Sequence, residues 1–258
     1  MDGDACGGDR DTGHRIRVVA AGVDEADAYH NVLRIGNFHT VGLMNWLRLK
    51  NNGTSVAVCD IPVMEYPMFH DEVCRLLADE NIHVATYFAA PVGNTLTFFC
   101  RLADDASGDV LLASHRYGYY SEQQLQSITA SYPQMHSFER EISELYGVRF
   151  VGNPWSKPLR YPHNRASVSQ NIGNYPFYAM EGASLHEVNV GPIHAGIIEP
   201  GAFRFICNGE HVLHLEIALG YQHRGVETLM AGTGNRLRQS VVAESIAGDS
   251  VIGHTTAY

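Results

Sequence analysis

Residues 137–165 read SFEREISELYGVRFVGNPWSKPLRYPHNR. Phe138, Ile142 and Leu145 recur at helical spacing. The charged residues Glu139, Arg140 and Glu141 flank that stripe. Pro133 and Gln134, just upstream, suit a helix start near Ser131. Gly147 can take the left-handed conformation that ends a helix. A short strand through Phe150 follows, then a basic tail punctuated by prolines. On composition alone this is a solvated amphipathic helix and its loop; the order of its residues is more specific than that.

Working outward, the preceding region from about residue 30 reads as α+β. HDEVCRLLADEN places Val73, Leu76 and Leu77 on one helical face. IHVATYF and NTLTFFCRL flank a Pro/Gly turn and predict a hairpin. VLLASHRY predicts a third strand, and SEQQLQSITASY predicts a helix opened by Ser121 and Gln124 in a capping-box pattern. Downstream, residues 162–184 are rich in Pro, Asn and Gly and lack apolar periodicity, so they predict a linker or a draped extended arm. AFRFICNGEHVLHLEIAL then predicts a second hairpin turning at Asn208-Gly209. In it Leu213, Leu215, Ile217 and Leu219 alternate with His214, Glu216 and Ala218. From GYQHRGVETLMAG to the end the spacing is helical, with a break near Gly248.

The totals exclude several classes. A chain of 258 residues suits one large domain or two modest ones. A formal charge of −10 argues against a general nucleic-acid role. The five cysteines, Cys6, Cys59, Cys74, Cys100 and Cys207, form no CxxC pair, so local zinc, iron–sulfur and disulfide-scaffold signals are absent. No run of about 18 apolar residues predicts a membrane span. The Gly/Asp-rich start is not a signal peptide and reads as a disordered tail over 1–20. No Gly-rich nucleotide fingerprint supports direct NADH binding.

The stretch quoted first resembles the signature of the 30-kDa subunit of respiratory complex I, a domain also found in membrane-bound group 4 NiFe hydrogenases. Glu139-Arg140-Glu141, Tyr146-Gly147, Phe150 and Gly152-Asn153-Pro154 match it, with Asn153 standing where that family has histidine. Farther on, GPIHAGIIEPGAFRF (191–205), GEHVLHLEIALGYQHRGVETLM (209–230) and the closing GHTTAY look like the N-terminal part of a group 4 hydrogenase large subunit, whose fold includes the complex I 49-kDa subunit. The resemblance implies a 30-kDa-like domain over 21–165, a linker over 166–187 and the first part of a large-subunit-like domain over 188–258. It also implies that the large-subunit part is truncated, and that the exposed apolar face of its last helix could pair in a homodimer.

Two departures shape the functional expectation. Where the resembling hydrogenases hold a CxxC pair that grips nickel and iron, this chain has Ala247 and Ser250. Neither side chain replaces a bridging thiolate, so no Ni–Fe site is expected and no cofactor is assigned to this chain. The complex I branch has a second loop histidine and a quinone-facing tyrosine; those places fall on Ile198 and Gly248. Glu199 matches a carboxylate that relays protons in hydrogenases, and a carboxyl group in a partly dry cavity can exchange protons near neutrality. His194, Asp249 and His254 would line the same cavity. Arg224 and Glu227 match a segment facing an iron–sulfur subunit, although an intrahelical ion pair is an equal reading of that spacing; Glu139, Arg140 and Glu141 are likewise expected at a partner interface. The implied protein is a subunit of a complex I-like or hydrogenase-related oxidoreductase, peripheral on the cytoplasmic face of a membrane. Its partners would be an iron–sulfur subunit and membrane subunits, with the clusters held by those partners. A quinone-reducing catalytic subunit and a purely structural adaptor are the alternatives.

Overall fold

The computed structural model describes residues 45–50, 56–118, 123–232 and 234–258. The expected tail over 1–20 and Ser121 lie outside them. Three sheets and five α-helices make up the regular structure of the described residues, a mixed α and β fold. The chain divides into two compact units. One holds the described residues up to Glu139, residues 149–154 and residues 226–258; the other holds residues 140–148 and 155–225.

The first unit is built on an antiparallel sheet of β1 (Leu47–Lys50), β2 (Ile82–Val92), β3 (Thr95–Asp104) and β4 (Asp109–Gly118), in the order β1-β4-β3-β2. The β2–β3 hairpin closes where Val92 pairs with Thr95, and Gly93 turns it at φ +57°. In the next hairpin the Asp104 carboxylate accepts from the Ala106 and Ser107 backbone N–H groups at 3.1 and 3.2 Å. Arg48 on β1 reaches across to donate to Asp109 at 2.6 Å and to Asp104 at 3.1 Å.

Helix α1 (Tyr66–Leu77), with Pro67 in its first turn, packs on β2 and β4. It buries Tyr66, Phe69, Val73, Leu76 and Leu77. Complete burial of a side chain such as Phe69 contributes about 1.5–3 kcal/mol over leaving it in water. A second apolar cluster gathers Leu49, Ile61, Phe99 and Leu112.

The helix predicted from Ser121 is not formed over the described part of that stretch. Leu125–Gln126 instead form β5, parallel to β6 (Phe150–Val151). Next, the N–H groups of Ile128 and Thr129 donate to the carboxylate of Glu139 rather than to preceding carbonyls, which removes the backbone bonds a helix needs. The helix expected from Ser131 begins as a 3-10 turn at Pro133–Met135 and runs on as α2 (His136–Tyr146). Gly147 follows at φ +71°. The same unit includes α3 (Val226–Ala231), α4 (Arg236–Glu244) and α5 (Val251–Ala257). Asn235 caps α4 through the N–H groups of Leu237 and Arg238. The Gln239 amide donates to the Met230 carbonyl at 2.8 Å and accepts from the Tyr258 hydroxyl at 2.6 Å. The break expected near Gly248 is a 3-10 turn at Gly248–Ser250.

The second unit carries a three-stranded antiparallel sheet of β7 (Leu185–Val190), β8 (Ala202–Asn208) and β9 (His211–Ala218). Asn208 pairs with His211, so the two loop residues are Gly209 and Glu210, one position beyond the expected turn. Gly209 supplies the positive φ of +58°. Residues 155–184 are a largely irregular arm with one 3-10 turn at Ile172–Asn174, and the stretch read as linker or arm, 162–184, lies within it.

His115 on β4 is a titrating element of the first core. It is 4% exposed and surrounded by the rings of Tyr66, Phe69 and Phe98. Its Nδ1 donates to the Met64 carbonyl at 3.0 Å. Burial lowers its pKa, against the opposing pull of that bond and of Glu65. An unfolded histidine takes its proton near pH 6.5, whereas this ring in the folded chain does so only at lower pH. His115 therefore costs nothing above about pH 6.5, and stability falls as the pH drops below it. Urea midpoints at pH 7.5 and 5.5 test this. The wild type should lose more stability between them than His115→Gln, and equal losses contradict the reading.

Candidate functional site

The quoted stretch folds so that Glu139, Arg140 and Glu144 are buried. Glu139 is 0% exposed. One carboxylate oxygen accepts from the Ser127 hydroxyl at 2.5 Å, the Thr129 hydroxyl at 2.8 Å and the Asn153 amide at 2.9 Å. The other accepts from the backbone N–H groups of Ile128 at 2.7 Å and Thr129 at 3.4 Å. One side chain thus joins α2, the 127–129 turn and the segment after β6. A buried carboxylate is tolerated when its lone pairs are filled in this way. The carboxylate also raises the pKa of the nearby Tyr66 phenol, after the larger effect of burial.

Arg140 and Glu144, farther along the same helix, organise the second unit. Successive helical residues point about 100° apart, so Arg140 turns away from the neighbours of Glu139. Its guanidinium donates to the Lys157 and Pro158 carbonyls at 2.8 and 2.7 Å and lies 5.4 Å from the centre of the Trp155 ring. Burial lowers its pKa, while Tyr175, Glu144, Tyr161 and Glu216 hold it up. Glu144 accepts from the backbone N–H groups of Arg160 and Tyr161 at 3.1 and 2.8 Å. Glu141 pairs with Arg160. Glu139 and Arg140 are therefore buried and bonded within the chain. Glu141 is half-buried in its ion pair.

A second buried acid holds the arm to the sheet. Glu216 on β9 is 2% exposed. It accepts from Lys157, with which it forms an ion pair, and from the Tyr178 backbone N–H at 2.6 Å. Burial alone would raise the Glu216 pKa; Lys157, the Tyr178 N–H and Tyr175 together outweigh it and lower the net value. Burial in turn raises the pKa of Tyr175. Glu144, Lys157, Tyr175 and Glu216 are structural residues that the sequence reading passed over. The one signal in the sequence was an acid alternating with Leu215 and Ile217 in a strand, where a lone carboxylate needs a partner if its face is the buried one.

The expected relay residues fall in both units. His194 and Glu199 share the loop 191–201 of the second unit, where His194 Nε2 donates to the Gly201 carbonyl at 2.7 Å. Gly191 in this loop has φ +86°, and a Cβ there would lie 2.3 Å from the Gly201 carbonyl oxygen. His194 is half-buried and Glu199 is exposed. Asp249 and His254 belong to the first unit, Asp249 exposed in the 3-10 turn and His254 half-buried on α5. Arg224 and Glu227 are exposed at the start of α3.

Ala247 precedes the 3-10 turn and Ser250 precedes α5. Neither offers a soft anionic donor, so the residues present do not fit a thiolate-held Ni–Fe centre. The described cysteines, Cys59, Cys74, Cys100 and Cys207, lie on other elements. Among the described residues no group of three or more His, Cys, Asp or Glu is placed to hold a metal ion.

Comparison with known proteins agrees with the first region. Residues 70–168 match the family described as respiratory-chain NADH dehydrogenase, 30 Kd subunit. This stretch is thus similar to the complex I 30-kDa subunit. It is similar to hydrogenase-4 component G of Escherichia coli, 27% identical over 149 residues, covering 51% of this chain and 27% of that protein. It is also similar to formate hydrogenlyase subunit 5 of the same organism, 27% identical over 150 residues, covering 51% of this chain and 26% of that protein. The fused C/D component of the NADH-quinone oxidoreductase of Azotobacter vinelandii is 25% identical over 173 residues, covering 54% of this chain and 28% of that protein. The chain spans about a quarter of the length of these curated relatives.

Removing the Glu139 carboxylate strands several buried donors at once. At about 1–3 kcal/mol for each unsatisfied buried group, Glu139→Ala should cost at least about 3 kcal/mol in denaturant unfolding. Glu139→Gln, which keeps one acceptor oxygen, should cost less. A loss under about 1 kcal/mol for Glu139→Ala contradicts the staple.

Proposed function

We propose that this chain is a peripheral subunit of a membrane-associated oxidoreductase assembly of the complex I-like or hydrogenase-related kind, without a Ni–Fe centre of its own. The observation that carries the reading is the 30-kDa-subunit match over residues 70–168, alongside relatives named as hydrogenase, formate hydrogenlyase and NADH-quinone oxidoreductase components. The large-subunit-like reading of 188–258 rests on the matched loop, hairpin and helix segments around His194, Glu216 and Arg224. No helix of the described residues is long and apolar enough to cross a membrane, and membrane association in this reading comes through partner subunits.

The chain's part is docking and proton handling. Arg224 and Glu227, exposed at the start of α3, are the proposed contacts to an iron–sulfur subunit. Glu199, His194, Asp249 and His254 are the proposed proton-handling groups, because carboxylates and imidazoles are the side chains that move protons near neutral pH. Electrons pass through clusters in the partners, and none is assigned to this chain.

The reading is tested on the assembly isolated through a tag on this chain. Arg224→Glu, an exposed change, should keep the thermal midpoint and lose the co-purifying iron–sulfur subunit. Glu199→Gln should keep the assembly and lower its turnover about 10²-fold or more, the usual contribution of a positioned proton carrier. Unchanged composition in Arg224→Glu and unchanged turnover in Glu199→Gln would contradict the two roles.

A further inference from the structure

Tyr161 holds a backbone conformation that its own side chain and the next residue both oppose. Its φ is +53°, in the left-handed region that a bulky residue rarely enters. It also precedes Pro162, and residues before proline favour extended backbone. Such strain persists only where the surroundings over-determine it. Glu144 supplies that restraint. Its carboxylate accepts from the backbone N–H groups of Arg160 and Tyr161 at 3.1 and 2.8 Å. Two successive N–H groups turned onto one anion form a nest, the concavity that a left-handed residue creates. The ring is enclosed as well. Its hydroxyl is buried without a hydrogen-bond partner among the described residues, and burial pushes the phenol pKa up to about 12.

Gly220 rests on this corner. Its φ is +96°. A Cβ there would lie 3.0 Å from the Arg160 Cα, 3.1 Å from the Leu159 carbonyl oxygen and 3.3 Å from Cδ2 of the Tyr161 ring. Glycine is the residue that lets two backbones approach so closely. Gly220 also opens a turn, which His223 closes by donating its backbone N–H to the Gly220 carbonyl at 3.2 Å. Arg224 follows directly and is exposed. Glu144, the corner, the turn and Arg224 all belong to the second unit.

We infer that Glu144 and Tyr161 are positioning residues for Arg224: the strained corner is the seat that fixes the 220–223 turn, and with it the direction in which Arg224 meets its partner. The inference rests on the docking role proposed for Arg224. A corner kept only to bury the Tyr161 ring would need no strain, since extended backbone carries a tyrosine equally well and suits the residue before proline. The left-handed corner is what turns two N–H groups onto Glu144 and sets the 159–160 backbone against Gly220. The backbone of Tyr161, rather than its ring, therefore carries the role.

The test uses the assembly isolated through a tag on the full chain and reads how much iron–sulfur subunit each variant retains. Tyr161→Gly and Tyr161→Val both remove the ring, but glycine takes a positive φ freely and a β-branched residue does not. Tyr161→Val should retain roughly fivefold less subunit than Tyr161→Gly, the size of a coupling between residues in contact. Glu144→Ala should lose the subunit to a similar extent, and adding Tyr161→Gly should recover part of that loss, because glycine holds the corner with less restraint. Hydrogen exchange on the full chain alone needs no partner. The His223 amide should exchange roughly fivefold faster in Glu144→Gln than in the wild type, while the β8–β9 amides keep their protection. Equal retention by Tyr161→Gly and Tyr161→Val, or an unchanged His223 amide, overturns the positioning role and leaves the docking role of Arg224 standing. Full retention of the subunit by Arg224→Glu overturns both.

Discussion

The carboxylate of Glu139 is the constraint on which the first unit depends. It sits with no solvent exposure and is satisfied by two hydroxyls, two backbone N–H groups and the Asn153 amide. Those donors come from the turn between β5 and α2 and from the segment after β6. With the acid in place, the backbone at 128–129 has no need of helical bonds, and β5 can lie parallel to β6. Without it, several polar groups would be buried unpaired, which costs far more than a typical hydrogen bond contributes.

The same helix repeats the device with opposite charge. Arg140 collects the Lys157 and Pro158 carbonyls, and Glu144 collects the Arg160 and Tyr161 N–H groups. The Pro-punctuated tail, which has no ladder of its own, is thereby tied down through its backbone. Lys157 then meets Glu216 and fixes the arm on the polar face of the second sheet. The consequence for function is indirect. With the polar face tied to the arm, Leu215 on the other face and Glu199 in the loop stay exposed.

Much of the fold was legible in the residues. The α1 stripe, the β2–β3 and β8–β9 hairpins, the Gly147 stop and the break at Gly248 all follow local rules of periodicity and turn chemistry. Two of the failures share one physical cause. Helix propensity at 121–132 and surface exposure of Glu139 and Arg140 are local expectations, and both were overridden by long-range pairing that periodicity does not encode. The turn of β8–β9 slipped by one residue because Gly209 suits either loop position. Strand alternation cannot say which face is buried, and Glu216 shows how a single buried ion pair decides it. At the candidate site, the family resemblance is what pointed to His194 and Glu199 as proton carriers. Their exposure became visible only in three dimensions.

Native mass spectrometry of the assembly, isolated through a tag on this chain, tests the central claim most directly. The expected result is an intact complex containing iron–sulfur and membrane subunits, from which this chain is released at its bare polypeptide mass. A chain that runs alone, or one released with nickel and iron bound, would contradict it.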